Sequence, residues 1–373
     1  MLSHDLPLAL LEQWMREYYF ATEIDIGSSG VECFSFGELR HLIGLEQADL
    51  DEITLADSLT MGGLALRTAI AERWGSGDPN RVMATHGSSE AIYLVMNSLV
   101  RPGDEVVVVA PCYQQLYSIA ESVGCTLRRW EIRFDRGFRL DMDEGKALIG
   151  PKTRLIVANF PHNPTGATLS RQDQTELIRL GREAGAYVLW DSAFADLTYG
   201  DPPLPDPASI YEKVISLGTL SKSFGLPGLR VGWCIAPPEV LEKCIEFRDY
   251  ITLHLSPVVE LIARKAIEHA GLILDIRSQQ ARRNLERLGE WVARHNEHVA
   301  WVKPGGGVCA FPKLLNIADS ERFCRQFARE QNVLLVPGTC FGSPSHVRLG
   351  FGGSEQSFAE GLSRLSSQLL TAT

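Results

Sequence analysis

The segment GTLSKSFGLPGLRVGW, residues 218–233, places Lys222 between two serines and Arg230 eight residues further on. A lysine amine can form a Schiff base with a carbonyl compound, and a guanidinium can bind a phosphate or carboxylate through two parallel hydrogen bonds. A surface loop with two solvated cations would have the same composition. The rest of the chain must distinguish these two interpretations.

Polar or aromatic residues follow five apolar segments of the kind that form buried strands. Because ligands of open parallel sheets bind beyond the carboxyl ends of the strands, this pattern predicts one shared site. A helix beginning at THGSSEA would also offer backbone N–H groups to an anion. The residues that follow the five segments are Gly87-Ser88-Ser89, Pro111-Cys112-Tyr113, FPHNPTG (160–166), Asp191 and Lys222.

The elements that position these residues alternate between helical and strand patterns from about residue 63 onward. The strand segments are continuously apolar, which is typical of a parallel sheet covered on both faces. After about residue 255, a long helical stretch (261–296) leads to short strands and two further helices. We therefore predict an α/β fold with a large domain, residues 46–255, around a mostly parallel central sheet. Residues 1–45 and 256–373 are predicted to form a smaller α+β domain.

Composition excludes several classes of partner. A formal net charge of -10 argues against nucleic acid, which requires a basic face. Eight cysteines without a CxxC pair predict reduced thiols in the cytoplasm and no structural zinc or other metal site. No apolar run approaches about 20 residues, so we expect no membrane span.

One cofactor requires all of these groups together. Pyridoxal 5'-phosphate needs a lysine, an acid at its pyridine nitrogen, an anion cradle and a ring to stack on. The order HNPTG, then a strand aspartate, then SKSFGLPGLRVG resembles the fold type I pyridoxal phosphate enzymes, the aspartate aminotransferase superfamily, along nearly the whole chain. The resemblance implies this fold, this cofactor and a small amino-acid substrate.

The resemblance also implies roles for individual residues. Lys222 would form the Schiff base with the cofactor, Asp191 would pair with the pyridine nitrogen, and Asn163 would donate to the phenolic oxygen. Its bond to Pro164 is expected to be cis. Tyr113 would stack on the ring, although a core tyrosine fits the same pattern. The residues implied at the phosphate are Ser88, Ser89, Thr219, Ser221 and Arg230.

Two residues are implied at the substrate. Arg348, in VRLGF, matches the arginine that binds the α-carboxylate, although a solvated strand-end arginine is the alternative. Gly27, in IDIGSSG, resembles a loop residue near the same carboxylate and would let the loop close over the site.

Two departures from the pattern of simple aminotransferases argue for different chemistry. Phe194 replaces a tyrosine that would donate to the phenolic oxygen. Asp57 replaces a tyrosine that a second subunit would present. The cofactor assignment does not depend on either residue, but both lost hydroxyl groups tune transamination in the resembling family.

A narrower resemblance concerns EIDIGSSGVECFS, PCYQQLYSIAES and TLHLSPVVELIA, which are similar to the capreomycidine synthase family. It implies β-elimination of water from 3-hydroxy-L-arginine followed by addition of the guanidine to Cβ, in antibiotic biosynthesis. An amino-acid aminotransferase is the alternative, and a non-enzymatic regulator is the third interpretation. Such a substrate needs carboxylates in the pocket, for which the candidates are Asp25, Glu32, Asp57 and Asp196. A homodimer is expected, with the segment around Asp57 reaching the partner.

Overall fold

A computed structural model describes residues 6–371 of the chain. Its helices are α1 (Leu10–Tyr18), α2 (Phe36–Leu42), α3 (Gln47–Asp51), α4 (Leu64–Trp74), α5 (Gly87–Leu99), α6 (Gln115–Val123), α7 (Met142–Leu148), α8 (Arg171–Ala184), α9 (Pro238–Arg248), α10 (Pro257–Glu268), α11 (Ala270–Arg294), α12 (Ser320–Gln331) and α13 (Glu355–Thr371). Its strands are β1 (Ile24–Asp25), β2 (Val82–Thr85), β3 (Glu105–Ala110), β4 (Thr126–Glu131), β5 (Thr153–Asn159), β6 (Tyr187–Asp191), β7 (Val214–Thr219), β8 (Gly232–Ile235), β9 (Val299–Ala300), β10 (Cys309–Ala310), β11 (Lys313–Leu314), β12 (Val333–Leu334), β13 (Val336–Pro337) and β14 (Val347–Gly350).

Seven strands form the central sheet in the order β2-β8-β7-β6-β5-β3-β4. The pairs from β7 to β4 are parallel, whereas β8 runs antiparallel to both of its neighbours. The predicted α/β fold with a mostly parallel sheet is therefore confirmed. Strands β3 and β5 are buried almost throughout, because helices and the C-terminal part of the chain cover the two faces.

Two strands of the central sheet and the break in one helix are not predicted by the sequence pattern. Strand β4, TLRRWE, lies at the sheet edge and is mostly exposed, so it lacks an apolar run. Strand β8 is only four residues long. The stretch predicted as one helix over 261–296 is two helices, because the backbone of His269 leaves helical geometry with φ -103° and ψ 19°.

The N-terminal segment packs against the C-terminal part of the chain. Strand β1 pairs in parallel with β12, and the Trp14 indole donates to the Leu335 carbonyl oxygen over 3.0 Å. Strands β10, β14 and β13 form a small antiparallel sheet beside them. This pairing brings α1 and the loop after β1 to the carboxyl ends of the central strands. The domain boundaries given above stay a prediction.

Within residues 6–371, no helix combines the length and the apolar character that crossing a membrane requires.

Candidate active site

A cavity of about 770 Å³ lies at the carboxyl ends of β5, β6 and β7. Ten of the eleven site residues predicted from the sequence line it, and the exception is Gly27. They are Ser88, Ser89, Tyr113, Asn163, Asp191, Thr219, Ser221, Lys222, Arg230 and Arg348. Helix α1 and the loop after β1 complete the wall, which the spacing of motifs did not reveal.

Lys222 extends into this cavity from the segment after β7. Its Nζ donates to Ser29 Oγ over 2.9 Å. Burial, followed by the positive charge of Arg348, lowers the pKa of Lys222 below its ordinary value of 10.5. A larger fraction of the amine is therefore neutral near pH 7 than in a solvated lysine. Ser29 is not among the predicted site residues, although it belongs to IDIGSSG, the predicted loop near the substrate carboxylate.

Asp191 is the last residue of β6 and is buried. Its Oδ1 accepts a hydrogen bond from the Ala193 N–H over 3.0 Å. Burial raises the pKa of Asp191 to about 6, against the lowering effects of that N–H and of Lys222. A protonated ring nitrogen beside it would favour the ionised form. The carboxyl group thus suits a cationic heterocycle.

Asn163 is held in place by a second asparagine. The Asn163 N–H donates to Asn159 Oδ1 over 2.8 Å, and Asn159 Nδ2 donates to the Asp191 carbonyl oxygen over 3.1 Å. The Asn163–Pro164 bond is cis, as predicted. Asn159 ends β5 and was not predicted as a site residue, because its role is to connect two neighbours.

The first turn of α5 and Arg230 form an anion cradle. A Cβ built at Gly87, where φ is +75°, would lie only 2.6 Å from Arg230 Nη2. A guanidinium this close to a helix N-terminus places two positive groups together, which an anion between them would stabilise. Arg230 itself has a left-handed backbone with φ 53°, a conformation that costs roughly 1 kcal/mol for a residue with a Cβ.

Two further hydroxyl groups, those of Thr219 and Ser221, line the same cavity. The side chains of Thr219 and Ser221 are 3.0 Å apart, measured between their Oγ atoms. The Ser221 N–H also donates to Thr219 Oγ1 over 3.1 Å. Together with Ser88 and Ser89, they give the cradle the donors that a phosphate requires. The residues present therefore fit pyridoxal phosphate.

Arg348 is a buried cation, with only 1% of its surface exposed. Its Nε donates to the Gly27 carbonyl oxygen over 3.1 Å, and Nη1 lies 3.4 Å from Asn163 Oδ1. Among residues 6–371, no carboxylate pairs with its guanidinium. The alternative of a solvated strand-end arginine is therefore wrong. A buried cation without an internal counter-ion is suited to an anionic ligand.

Gly27 contacts Arg348 through its backbone and does not line the cavity. A Cβ at Gly27 would lie 3.2 Å from atoms of Leu334, Leu335 and Val336, so the residue is packed against the C-terminal part of the chain. Its N–H donates to Asp25 Oδ1 over 2.8 Å. In this arrangement Gly27 positions Arg348, and the predicted closing motion of its loop stays a prediction.

Tyr113 lines the cavity, and its hydroxyl group donates to Glu12 Oε1 over 2.7 Å. Burial, followed by the charge of Glu12, raises the pKa of Tyr113 above its ordinary value. Phe194 is also in the wall, is 2% exposed and has no donor. Phe194, which replaces the donating tyrosine of simple aminotransferases, therefore lies in the wall of the site itself.

The four candidate carboxylates are divided by the structure. Asp25 and Glu32 line the cavity, whereas Asp57 and Asp196 do not. Asp196 pairs with Arg73 at 3.0 Å in a separate cavity of about 440 Å³. Asp57 projects from the surface and pairs with His254 at 3.2 Å. Neither residue lines the main cavity of its own chain, so neither is placed to bind a ligand there.

Comparison with known proteins places this fold and site in a family. The model of the aminotransferase class I and II family matches residues 45–365, and the chain belongs to that family. The chain is 44% identical over 368 residues to capreomycidine synthase of Streptomyces vinaceus, covering 98% of this chain and 95% of the relative.

Solved structures agree with this assignment. The crystal structure of the PLP-dependent cyclase OrfR matches with a TM-score of 0.94 and 42% identity, covering 98% of each chain. In sequence, the chain is also 28% identical to an aspartate aminotransferase of Thermotoga maritima, covering 80% of this chain and 80% of that relative. Both the family and the narrower resemblance predicted from the sequence are confirmed.

Proposed function

We propose that this protein is a pyridoxal phosphate-dependent lyase and cyclase that acts on 3-hydroxy-L-arginine. It eliminates water across Cα and Cβ, and a terminal guanidine nitrogen then adds to Cβ to give capreomycidine or a hydroxylated relative, in antibiotic biosynthesis. The observation that carries this proposal is the 44% identity to capreomycidine synthase over 98% of the chain, together with a cavity containing every group the cofactor requires.

Pyridoxal phosphate supplies an electron sink for the negative charge that develops at the substrate Cα. The site residues would hold it as the sequence predicts: Lys222 at its carbonyl carbon, Asp191 at its ring nitrogen, Asn163 at its phenolic oxygen and Tyr113 on its face. The cradle residues Ser88, Ser89, Thr219, Ser221 and Arg230 would hold its phosphate.

The chain's own groups provide binding and proton transfer. Arg348 binds the α-carboxylate of the substrate and so orients the Cα–H bond toward Lys222. The Lys222 amine, whose pKa burial lowers, would take the Cα proton as general base. Ser29 restrains this amine through the 2.9 Å hydrogen bond. Holding the guanidine near Cβ makes the final addition intramolecular, an advantage of up to roughly 7–11 kcal/mol in well-oriented cases.

An amino-acid aminotransferase is the second candidate, and it is favoured by the family match over residues 45–365. Phe194 argues against it, since simple aminotransferases of this superfamily carry a donating tyrosine there.

The test is incubation of the holoenzyme with 3-hydroxy-L-arginine, with and without a 2-oxo acid, followed by mass spectrometry. The proposal predicts a product lighter than the substrate by one water, formed without the oxo acid. Lys222→Ala serves as the inactive control. A product that forms only with the oxo acid and has lost its amino group would contradict the proposal.

The assembly belongs to the same proposal. A homodimer is supported by the apolar side chains that the segment around Asp57 exposes, among them Leu55 (81% exposed) and Leu59 (58%).

The division into a large domain, 46–255, and a small one, 1–45 with 256–373, is supported by the pairing of β1 with β12. A cytoplasmic location is supported by the eight cysteines, all free thiols and all within the described residues.

A further inference from the structure

We propose that Glu12, on helix α1, is the carboxylate that binds the guanidinium of the substrate and so determines specificity for arginine-type side chains. This inference rests on the proposed function, which requires such a substrate. No motif in the sequence pointed to Glu12.

Five carboxylates of the described chain line the cavity: Glu12, Glu23, Asp25, Glu32 and Asp191. A guanidinium is bound best by a carboxylate that has no cationic partner within the protein, because a carboxylate already in an ion pair gains less from a second cation. The hydrogen-bond and ion-pair partners of each carboxylate therefore indicate which of the five is suited to bind the substrate guanidinium.

Two of the five already have arginine partners. Glu23 Oε2 lies 3.5 Å from Arg364 Nη1. Glu32 Oε2 lies 3.3 Å from Arg277 Nη1 and accepts a second hydrogen bond from Gln280 Nε2 over 2.7 Å. Their negative charges are compensated within the protein.

Two more are engaged by the backbone. Asp191 Oδ1 accepts from the Ala193 N–H, and its place beside Lys222 serves the cofactor. Asp25 Oδ1 accepts from the N–H groups of Gly27 and Ser28 over 2.8 and 2.9 Å, which holds the loop in shape.

The Glu12 carboxylate has neither an arginine partner nor a backbone hydrogen bond among the described residues. Its contact is with a single neutral side chain, the Tyr113 hydroxyl, at 2.7 Å. No lysine or arginine among residues 6–371 pairs with it. One phenol leaves most of the acceptor capacity of a carboxylate unused, and a guanidinium can use it in a bidentate arrangement.

The charges of the cavity match such a ligand. Arg348 offers a buried positive charge for the α-carboxylate, and Glu12 offers a negative charge elsewhere on the wall. Burial and Arg348 lower the pKa of Lys222, and Glu12 is among the charges that oppose this lowering. Glu12 and Lys222 line the same cavity, so a guanidine bound by Glu12 would stay in the cavity where Lys222 acts on the substrate.

The experiment compares two ligands of nearly equal shape, L-arginine and the neutral L-citrulline. Their dissociation constants with the holoenzyme are measured by isothermal titration calorimetry. We expect the wild-type protein to prefer arginine. Glu12→Gln keeps an acceptor for Tyr113 but removes the charge, and we expect it to bind arginine about 10-fold to 100-fold more weakly, with citrulline nearly unchanged.

Glu17→Gln is the matched control, because Glu17 lies on the same helix and pairs at the surface with Arg325 at 2.9 Å. Its preference should equal that of the wild type. Glu12→Ala is a second variant and should show the same loss for arginine.

The outcomes separate the two proposals. If the wild type prefers arginine and both Glu12 variants keep that preference, the inference about Glu12 is wrong while the proposed function stands. If the wild type binds citrulline as tightly as arginine, guanidinium recognition is absent and the proposed function fails with it.

Discussion

Single residues of this site take their properties from neighbours that lie far away in the sequence. Lys222 forms a hydrogen bond with Ser29, and Tyr113 forms one with Glu12. The N-terminal segment therefore completes a site whose motifs come from the central sheet. Burial sets the protonation of Lys222 and Asp191 in opposite directions, toward the neutral amine and the protonated acid. A bound cofactor would change the second of these, since a cationic ring nitrogen favours the carboxylate.

The first prediction concerns covalent attachment. Borohydride treatment of the wild-type holoenzyme should fix the cofactor to the chain, because reduction makes the bond to Lys222 permanent. Lys222→Ala should lose both this labelling and the visible absorbance that borohydride abolishes. Intact-mass spectrometry measures the result, and labelling of another lysine in the variant would contradict the assignment.

Phe194 supports a second prediction at this scale. A tyrosine in its place would donate to the phenolic oxygen of the cofactor and stabilise the unprotonated linkage to Lys222. Loss of a donor to an anion raises a pKa, so the wild type should keep the linkage protonated to higher pH than Phe194→Tyr does. Absorbance titration of both holoenzymes measures this. Superimposable curves, or a shift toward base in the variant, would mean that Phe194 does not face that oxygen.

Residue types alone could predict the cofactor groups but not their supporting residues. Lys222, Asp191 and Asn163 lie at strand ends within recognisable motifs. Ser29 and Glu12 lie outside those motifs, and they reach the cavity only because β1 pairs with β12 across more than three hundred residues. That pairing depends on two-residue strands, too short to leave a pattern.

Elements were predictable where burial is uniform. Strands β3, β5, β6 and β7 have mainly apolar residues because both faces of the sheet are covered, and these apolar runs make the strands predictable from the sequence. The edge strand β4 and the break at His269 lack such a signal, since one is solvated and the other falls inside a continuous helical pattern.

Helix α5 presents its first turn to the cradle, and a buried ion pair anchors that turn: Glu90 Oε1 lies 3.3 Å from Arg248 Nε on α9.

This ion pair gives a prediction about stability. Burial raises the pKa of Glu90, but the hydrogen bond from His86 and the charge of Arg248 outweigh it and lower the pKa from 4.5 to about 2. A depressed carboxyl pKa stabilises the fold above pH 4.5, and this contribution is lost as pH falls toward 2. Glu90→Gln should therefore lower the free energy of unfolding at pH 7 by about 3 kcal/mol, because it leaves the Arg248 charge buried and unpaired.

Urea unfolding at several pH values measures the difference. Its size should shrink between about pH 4.5 and 2. Glu242→Gln, exposed on the same helix as Arg248, should unfold like the wild type at every pH. Equal stabilities of Glu90→Gln and the wild type at pH 7 would show that the pair does not anchor α5.

The whole molecule is expected to work as a symmetric dimer. Leu55, Leu59 and Leu64 expose more than half of their surface in one short segment, and a second subunit would cover them. Analytical ultracentrifugation at micromolar concentration should give twice the chain mass of 41.3 kDa. Leu55→Asp should shift the protein toward monomer and reduce activity in parallel. A monomeric wild type with full activity would contradict this expectation.

The central claim is that a bond forms between a guanidine nitrogen and Cβ of the substrate. It is tested most directly with 3-hydroxy-L-arginine carrying ¹³C at Cβ and ¹⁵N in both terminal guanidine positions. After incubation with the holoenzyme, the account predicts a one-bond ¹³C–¹⁵N coupling at Cβ in the NMR spectrum of the product. A product whose Cβ shows no such coupling and still carries oxygen would contradict it.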